Sequence, residues 1–135
     1  MRSLRILLLE PDPFQLMALH QMLNAMGIYD VLTAPSLGAA KRSLDRRGAV
    51  DIAICNPQLK SGEGLALIRH LAARQEAQAL IMLGAVAPSL LADLDPVLGE
   101  GGVRLLGRLC TPVSAVLMRN LLDSYLSQPR CSVGS

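Results

Sequence analysis

The sequence predicts an α/β fold: a parallel sheet with helices packed on both faces. Three observations point there. Five short apolar runs alternate with longer stretches whose apolar residues recur at helical spacing. The first and third runs are almost continuously apolar, as strands buried on both faces are. The 135 residues, 51% hydrophobic and 18% charged, suit one compact domain with a large core and some apolar surface left for a partner.

Each element has its own warrant. Residues 4–9 form the first run, closed by Glu10, Pro11 and Asp12. Beyond Pro13, Leu16, Leu19, Leu23 and Met26 share one face of a helix that Gly27 stops. Residues 29–33 make a second strand. Ser36 caps a helix running through Arg47, with Leu37, Ala40 and Leu44 on one face and Arg42, Asp45 and Arg46 on the other. Gly48 ends it, and residues 51–55 form the third strand. The loop NPQLKSGEG is dense in turn formers, and a helix over 63–74 follows with Leu65, Ile68 and Leu71 inward. Residues 79–83 are the fourth strand. Pro88 and Ser89 open a helix over 90–98, which Pro96 is expected to bend or end early. Residues 103–106 are the fifth strand, and 112–126 the last helix, with Val113, Val116, Leu117 and Leu121 apolar.

Residues 1–127 therefore read as one domain and 128–135 as a flexible tail or linker stump. Right-handed crossovers turn five βα units into a three-layer (βα)5 sandwich with the flavodoxin-like strand order 2-1-3-4-5. In such a sheet the working residues gather at the carboxyl ends of the strands, here 10–12, 55–57, 84–85 and 110–112.

Composition excludes several functions. Aromatics are 2% of the chain, too few to stack bases, and a net charge of +2 without a basic stretch offers phosphates no footprint, so no nucleic acid is expected. The same scarcity, with no Ser/Thr-rich phosphate loop after the first strand, argues against a flavin carrier. Cys55, Cys110 and Cys131 are odd in number and lack framework spacing, which predicts reduced thiols. No CxxC pair exists and His20 lies far from His70 in sequence, so no zinc site is expected. No run approaches the roughly 18 apolar residues of a membrane span. The expectation is a soluble, cytoplasmic domain with no membrane contact.

Four segments, RILLLEPDPFQL, VDIAICNPQLKSGEGLALIRHL, ALIMLGA and LLGRLCTPVSAVLMRNLL, carry a family resemblance. Over residues 4–127 the chain resembles the receiver domain of bacterial two-component response regulators, the CheY-like family. VDIAIC and GLALIRH are also similar to receivers that precede EAL-type cyclic-di-GMP phosphodiesterase domains. The resemblance implies a pocket in which paired acids after the first strand bind Mg²⁺ and an aspartate after the third accepts phosphate. A Thr or Ser after the fourth strand and a Lys before a cis-proline after the fifth complete it. Carboxylates, metal, lysine and hydroxyl together offset the charge of a transferring phosphoryl group.

At these positions the sequence departs from the pattern. Glu10 keeps one acid, Pro11 replaces the second and offers no ligand, and Asp12 matches a third, non-essential acid. Asn56 stands at the phosphoacceptor position, and an amide cannot form an acyl phosphate. Deamidation is no rescue, because Pro57 lacks the backbone N–H that closes the ring. Gly84 replaces the switch hydroxyl, Arg108 the switch aromatic and Thr111 the lysine, while Pro112 is retained and is expected to follow a cis bond. The residues thus describe a degenerate receiver with no catalytic residue, no cofactor and weak or absent Mg²⁺ binding, Glu10 being at most a weak ligand.

Plainer roles stand beside these. Glu10 reads as a solvated acid at a strand end, and Asn56 either mimics one state of an aspartate or is satisfied within its own loop. Arg108 reads as a surface arginine, with pairing to Glu10 or Asp12 as the alternative. Cys55 reads as a small buried hydrophobe and not a redox sensor, and Met17, Met22 and Met26 as core filler and helix face. Leu90, Leu91, Leu94, Leu98, Val116 and Leu122 are divided between covering the sheet and forming a contact face of the fourth helix, fifth strand and fifth helix. The expected function is phosphorylation-independent signalling through a protein partner, an output domain or a homodimer on that face. The alternative is a sensor of a small ligand or anion in the emptied pocket.

Overall fold

The computed structural model describes residues 3–59 and 61–127; the expected tail and Cys131 lie outside them. Ten elements alternate as β1 (Arg5–Leu9), α1 (Pro13–Ala25), β2 (Asp30–Ala34), α2 (Leu37–Arg47), β3 (Val50–Cys55), α3 (Glu63–Arg74), β4 (Ala77–Leu83), α4 (Pro88–Gly101), β5 (Arg104–Leu109) and α5 (Ala115–Ser127). The strands form one parallel sheet in the order β2-β1-β3-β4-β5, as the pattern predicts.

Side-chain alternation divides the core into two layers. Leu7, Leu9, Ala53, Cys55, Leu80 and Met82 face α2, α3 and α4, where Leu44, Leu67, Leu71, Leu94 and Leu98 meet them. Ile6, Leu8, Ile52, Ile54 and Ile81 face α1 and α5 through Leu19, Leu23, Met118, Leu122 and Tyr125. The central strands are buried from both sides, which is why their sequences carry so little polarity. Side-chain caps fix where helices begin. Asp12 accepts from the Phe14 N–H at 3.0 Å and Ser36 Oγ from the Ala39 N–H at 3.2 Å, each worth about 1 kcal/mol.

Two expectations about helices are corrected. Pro96 neither ends α4 nor shortens it to 90–98; the helix runs through it to Gly101. Proline removes one hydrogen bond, to the carbonyl of Ala92. Both residues are exposed, while Leu94 and Leu98 on either side are buried and hold the helix down. The last helix starts at Ala115 and not 112, because Ser114 caps it, its Oγ accepting from the Leu117 N–H at 3.3 Å. Its buried residues are Met118, Leu122 and Tyr125, whereas Val116 and Leu117 are 69% and 54% exposed. β5 is also longer than expected. A bulge between Leu80 and Ile81 shifts its register, and a Cβ at Gly107 would lie 2.8 Å from Leu121.

At the amino edge of the sheet a polar network ties the elements together. Arg5 and Arg47 both pair with Asp30, at 2.9 and 3.0 Å. The Arg5 N–H donates to Asp51 at 2.9 Å. The Tyr125 hydroxyl, from the last turns of α5, lies 2.9 Å from another Asp51 oxygen and 2.9 Å from the Gln78 side-chain amide. Its one proton goes to the carboxylate, so the amide serves it by turning its NH₂ to the hydroxyl oxygen. Arg104 lies over the same ring, 5.8 Å from its centroid.

Candidate functional site

The carboxyl ends of β1, β3, β4 and β5 open on one edge, and the residues singled out there are placed as follows. Glu10 follows β1, its N–H donating to Ala34 at 3.0 Å and its carboxylate accepting from the Asp12 N–H at 3.1 Å. Burial pushes the Glu10 carboxyl above its ordinary range, against the lowering effect of that hydrogen bond, with the neighbouring Asp12 charge adding to the rise. Pro11 is exposed, and Asp12 spends its carboxylate capping α1.

Asn56 follows β3. Its Oδ1 accepts from the Gln58 N–H at 2.8 Å, the turn that Asn makes with its own backbone two residues on. Gly84, after β4, has φ +86°, and a Cβ there would lie 3.0 Å from Asn56 Nδ2. The Asn56 amide therefore fills the space beside the Gly84 backbone. Beneath the loop, Gly64 is obligatory: a Cβ would fall 1.8 Å from the Asn56 carbonyl oxygen.

The sequence did not point to Gln58. Its Oε1 accepts from the Ala87 N–H at 3.0 Å and so ties the loop after β3 to the start of α4, which has no side-chain cap of its own. Arg108, exposed on β5, donates to the Val86 carbonyl at 3.4 Å, so its hydrogen bond goes to the loop after β4 and not to Glu10 or Asp12. Thr111 and Pro112 are exposed, and the bond between them is cis, as the resemblance implied. Cys55 is fully buried, its thiol pushed up to about 12 by burial, with Sγ 3.9 Å from the Gly64 carbonyl; Cys110 is exposed.

The donor set does not suit Mg²⁺. A hard cation needs several oxygen ligands at one point. Glu10 and Asn56 each spend an oxygen on a backbone N–H, Asp12 caps a helix, and Pro11 has nothing to give. Among the described residues no three His, Cys, Asp or Glu side chains gather to hold a metal, and no helix is long and apolar enough to cross a membrane.

These features define the class: the fold is the CheY-like receiver fold, its carboxyl edge formed by the Asn56 amide, Gly84 and backbone hydrogen bonds. Among solved structures it is similar to the chemotaxis protein CheY4 of Vibrio cholerae, with TM-score 0.76, 16% identity and coverage of 92% of this chain and 99% of that one. The signal receiver domain of an HD domain-containing protein from Pseudomonas fluorescens Pf-5 matches with TM-score 0.74 and 24% identity, covering 93% and 95%. The receiver domain of a modulated diguanylate cyclase from Desulfovibrio desulfuricans G20 matches with TM-score 0.72 and 19% identity, covering 92% and 94%. In sequence, the chain is 31% identical over 125 residues to the cyclic di-GMP phosphodiesterase RocR of Pseudomonas aeruginosa. That match covers 93% of this chain and 32% of the relative. No family model matches.

Proposed function

We propose that this chain is a non-catalytic, cytoplasmic receiver-type domain that signals without phosphorylation, through protein contacts, in cyclic-di-GMP-linked regulation in bacteria. The observation that carries this is Asn56, which has no nucleophilic oxygen and whose amide is committed to the Gln58 N–H and packed against Gly84. Gln58 and Arg108 support it, since their bonds to Ala87 and Val86 already join the loops that a phosphoryl group would otherwise draw together. The likeness to a cyclic di-GMP phosphodiesterase supports the pathway. The surface of α4, β5 and α5, with Arg104, Arg108 and Leu117 exposed, is the proposed contact for a protein partner or output domain.

Acetyl phosphate with Mg²⁺ tests the central claim. Intact mass spectrometry should show no phosphoryl adduct on the chain, since the Asn56 amide cannot form an acyl phosphate. An adduct on the parent chain overturns the proposal. The competing use of the edge, holding a small anion, has less support because the Asn56 amide fills the space beside Gly84. Thermal stabilisation by inorganic phosphate would favour it.

A further inference from the structure

The strongest unexplained surface is on the opposite layer from the partner helices α2–α4. The thirteen residues of α1 contain no Asp, Glu, Lys or Arg, and its Phe14 and Met17 are 85% and 60% exposed. Its polar residues are the uncharged Gln15, His20, Gln21 and Asn24, so no charge on α1 opposes a partner laid against it. Between α1 and α5 runs a groove in which Met22, Ala25 and Met26 face Ala115, Val116 and Arg119. It continues into a cavity of about 330 Å³ toward the last turn of α5, which Asp123 and Leu126 line.

Along α5, Ala115, Val116, Arg119, Asn120, Leu122, Asp123 and Leu126 line this groove and cavity, and among them Val116, Arg119, Asp123 and Leu126 form one exposed row. Their spacing of three, four and three is that of the seam by which one helix packs lengthwise on another. Neither Arg119 nor Asp123 makes an ion pair or a side-chain hydrogen bond among the described residues. In a parallel pairing of two such helices, Arg119 would meet Arg119 and Asp123 would meet Asp123. Antiparallel about a two-fold axis near Leu121, Arg119 meets the other copy's Asp123, and Val116 meets its Leu126, each contact occurring twice. The seam is self-complementary in one orientation only, as an isologous interface requires.

We infer that a second copy of this chain docks on the α1–α5 face, with the α5 helices antiparallel and Arg119 paired with Asp123 across the two-fold axis. Two helices each about 20 Å long give a face about 20 Å across. That flat area of about 400 Å², increased by side-chain relief, rises toward the lower bound of roughly 600 Å² per partner for a specific interface. The dimer gives physical form to the proposed action through protein contacts and rests on that reading. It leaves the α4–β5–α5 surface open to a different protein.

Charge reversal tests it, read by sedimentation velocity across a concentration series. The parent should dimerise. Arg119→Asp and Asp123→Arg should each weaken the dimer at least about tenfold, because each places like charges opposite twice. The double variant should recover most of the loss, which neither misfolding nor general surface damage would do; circular dichroism checks that each variant folds. A parent that stays monomeric at the highest concentration, a dimer indifferent to both single reversals, or a double variant as weak as the singles overturns the proposal. Phosphoryl transfer to the chain would overturn the reading of the pocket and leave this result standing, since neither residue lies at that edge.

Discussion

Restoring the missing switch hydroxyl by Gly84→Thr should damage the domain and not repair it. Gly84 has φ +86°, a conformation that costs an L-residue about 1–2 kcal/mol. The new Cβ would also sit 3.0 Å from Asn56 Nδ2. That amide cannot swing away freely, since its Oδ1 is held by the Gln58 N–H at 2.8 Å. Overpacking of this kind costs about 1–3 kcal/mol. The sum, about 2–5 kcal/mol, should lower the urea midpoint by about 1–2.5 M with an unchanged slope of about 2 kcal/mol/M. Truncating Asn56 to Ala separates the two causes: in that background Gly84→Thr should cost only the backbone share, about 1–2 kcal/mol. A Gly84→Thr variant as stable as its parent, or a cost that persists in full without the Asn56 side chain, would refute the account of how these two positions fit.

Three further outcomes are expected. Tyr125→Phe keeps the ring under Arg104 but loses the bond to the half-buried Asp51 carboxylate, and should cost about 1–2 kcal/mol in urea denaturation; an unchanged midpoint would count against the network. At mildly alkaline pH iodoacetamide should label Cys110 and spare Cys55, whose thiol burial holds near 12, as peptide mapping by mass can show; labelling of Cys55 in the folded state would contradict its burial. Glu10 holds its proton to higher pH folded than unfolded, so its ionisation opposes folding and stability declines as pH rises from the ordinary glutamate range through its raised value. Glu10→Gln should remove that decline in denaturation midpoints measured from acid to neutral pH, and an unaltered pH profile would exclude Glu10 as its source.

The centre of the sheet could be read from residues alone because β1 and β3 are buried on both faces, and burial writes itself as unbroken apolar sequence. The start of α2 was readable because a side chain announces it at Ser36, whereas Asp12, read as an acid of the pocket, is the cap of α1. Reading failed at the edge of the fold. β5 alternates weakly and carries a bulge, and Pro96 was overruled by the burial of Leu94 and Leu98, which is a tertiary effect. At the carboxyl edge, Asn56, Gly84 and Pro112 were singled out by the receiver resemblance, and the structure places each just after the strand it was assigned to. Gln58 was missed because its partner Ala87 is 29 residues away and nothing local requires an amide there. Gly64 left a trace, in the acidic-Gly step that opens α3, but that it must pass within a Cβ's reach of the Asn56 carbonyl is a property of two segments together.

Tyr125 gives the domain a mechanical character. One side chain near the end of α5 grips Asp51 at the start of β3, and that carboxylate holds the backbone of Arg5 in β1, while Arg104 of β5 rests on the ring. A pull or twist applied beyond Ser127 is therefore delivered to the amino edge of three strands at once, at the end of the sheet farthest from the altered pocket. Both ends of the sheet are thus tied separately, the amino edge through this one side chain and the carboxyl edge through Asn56, Gln58 and Arg108.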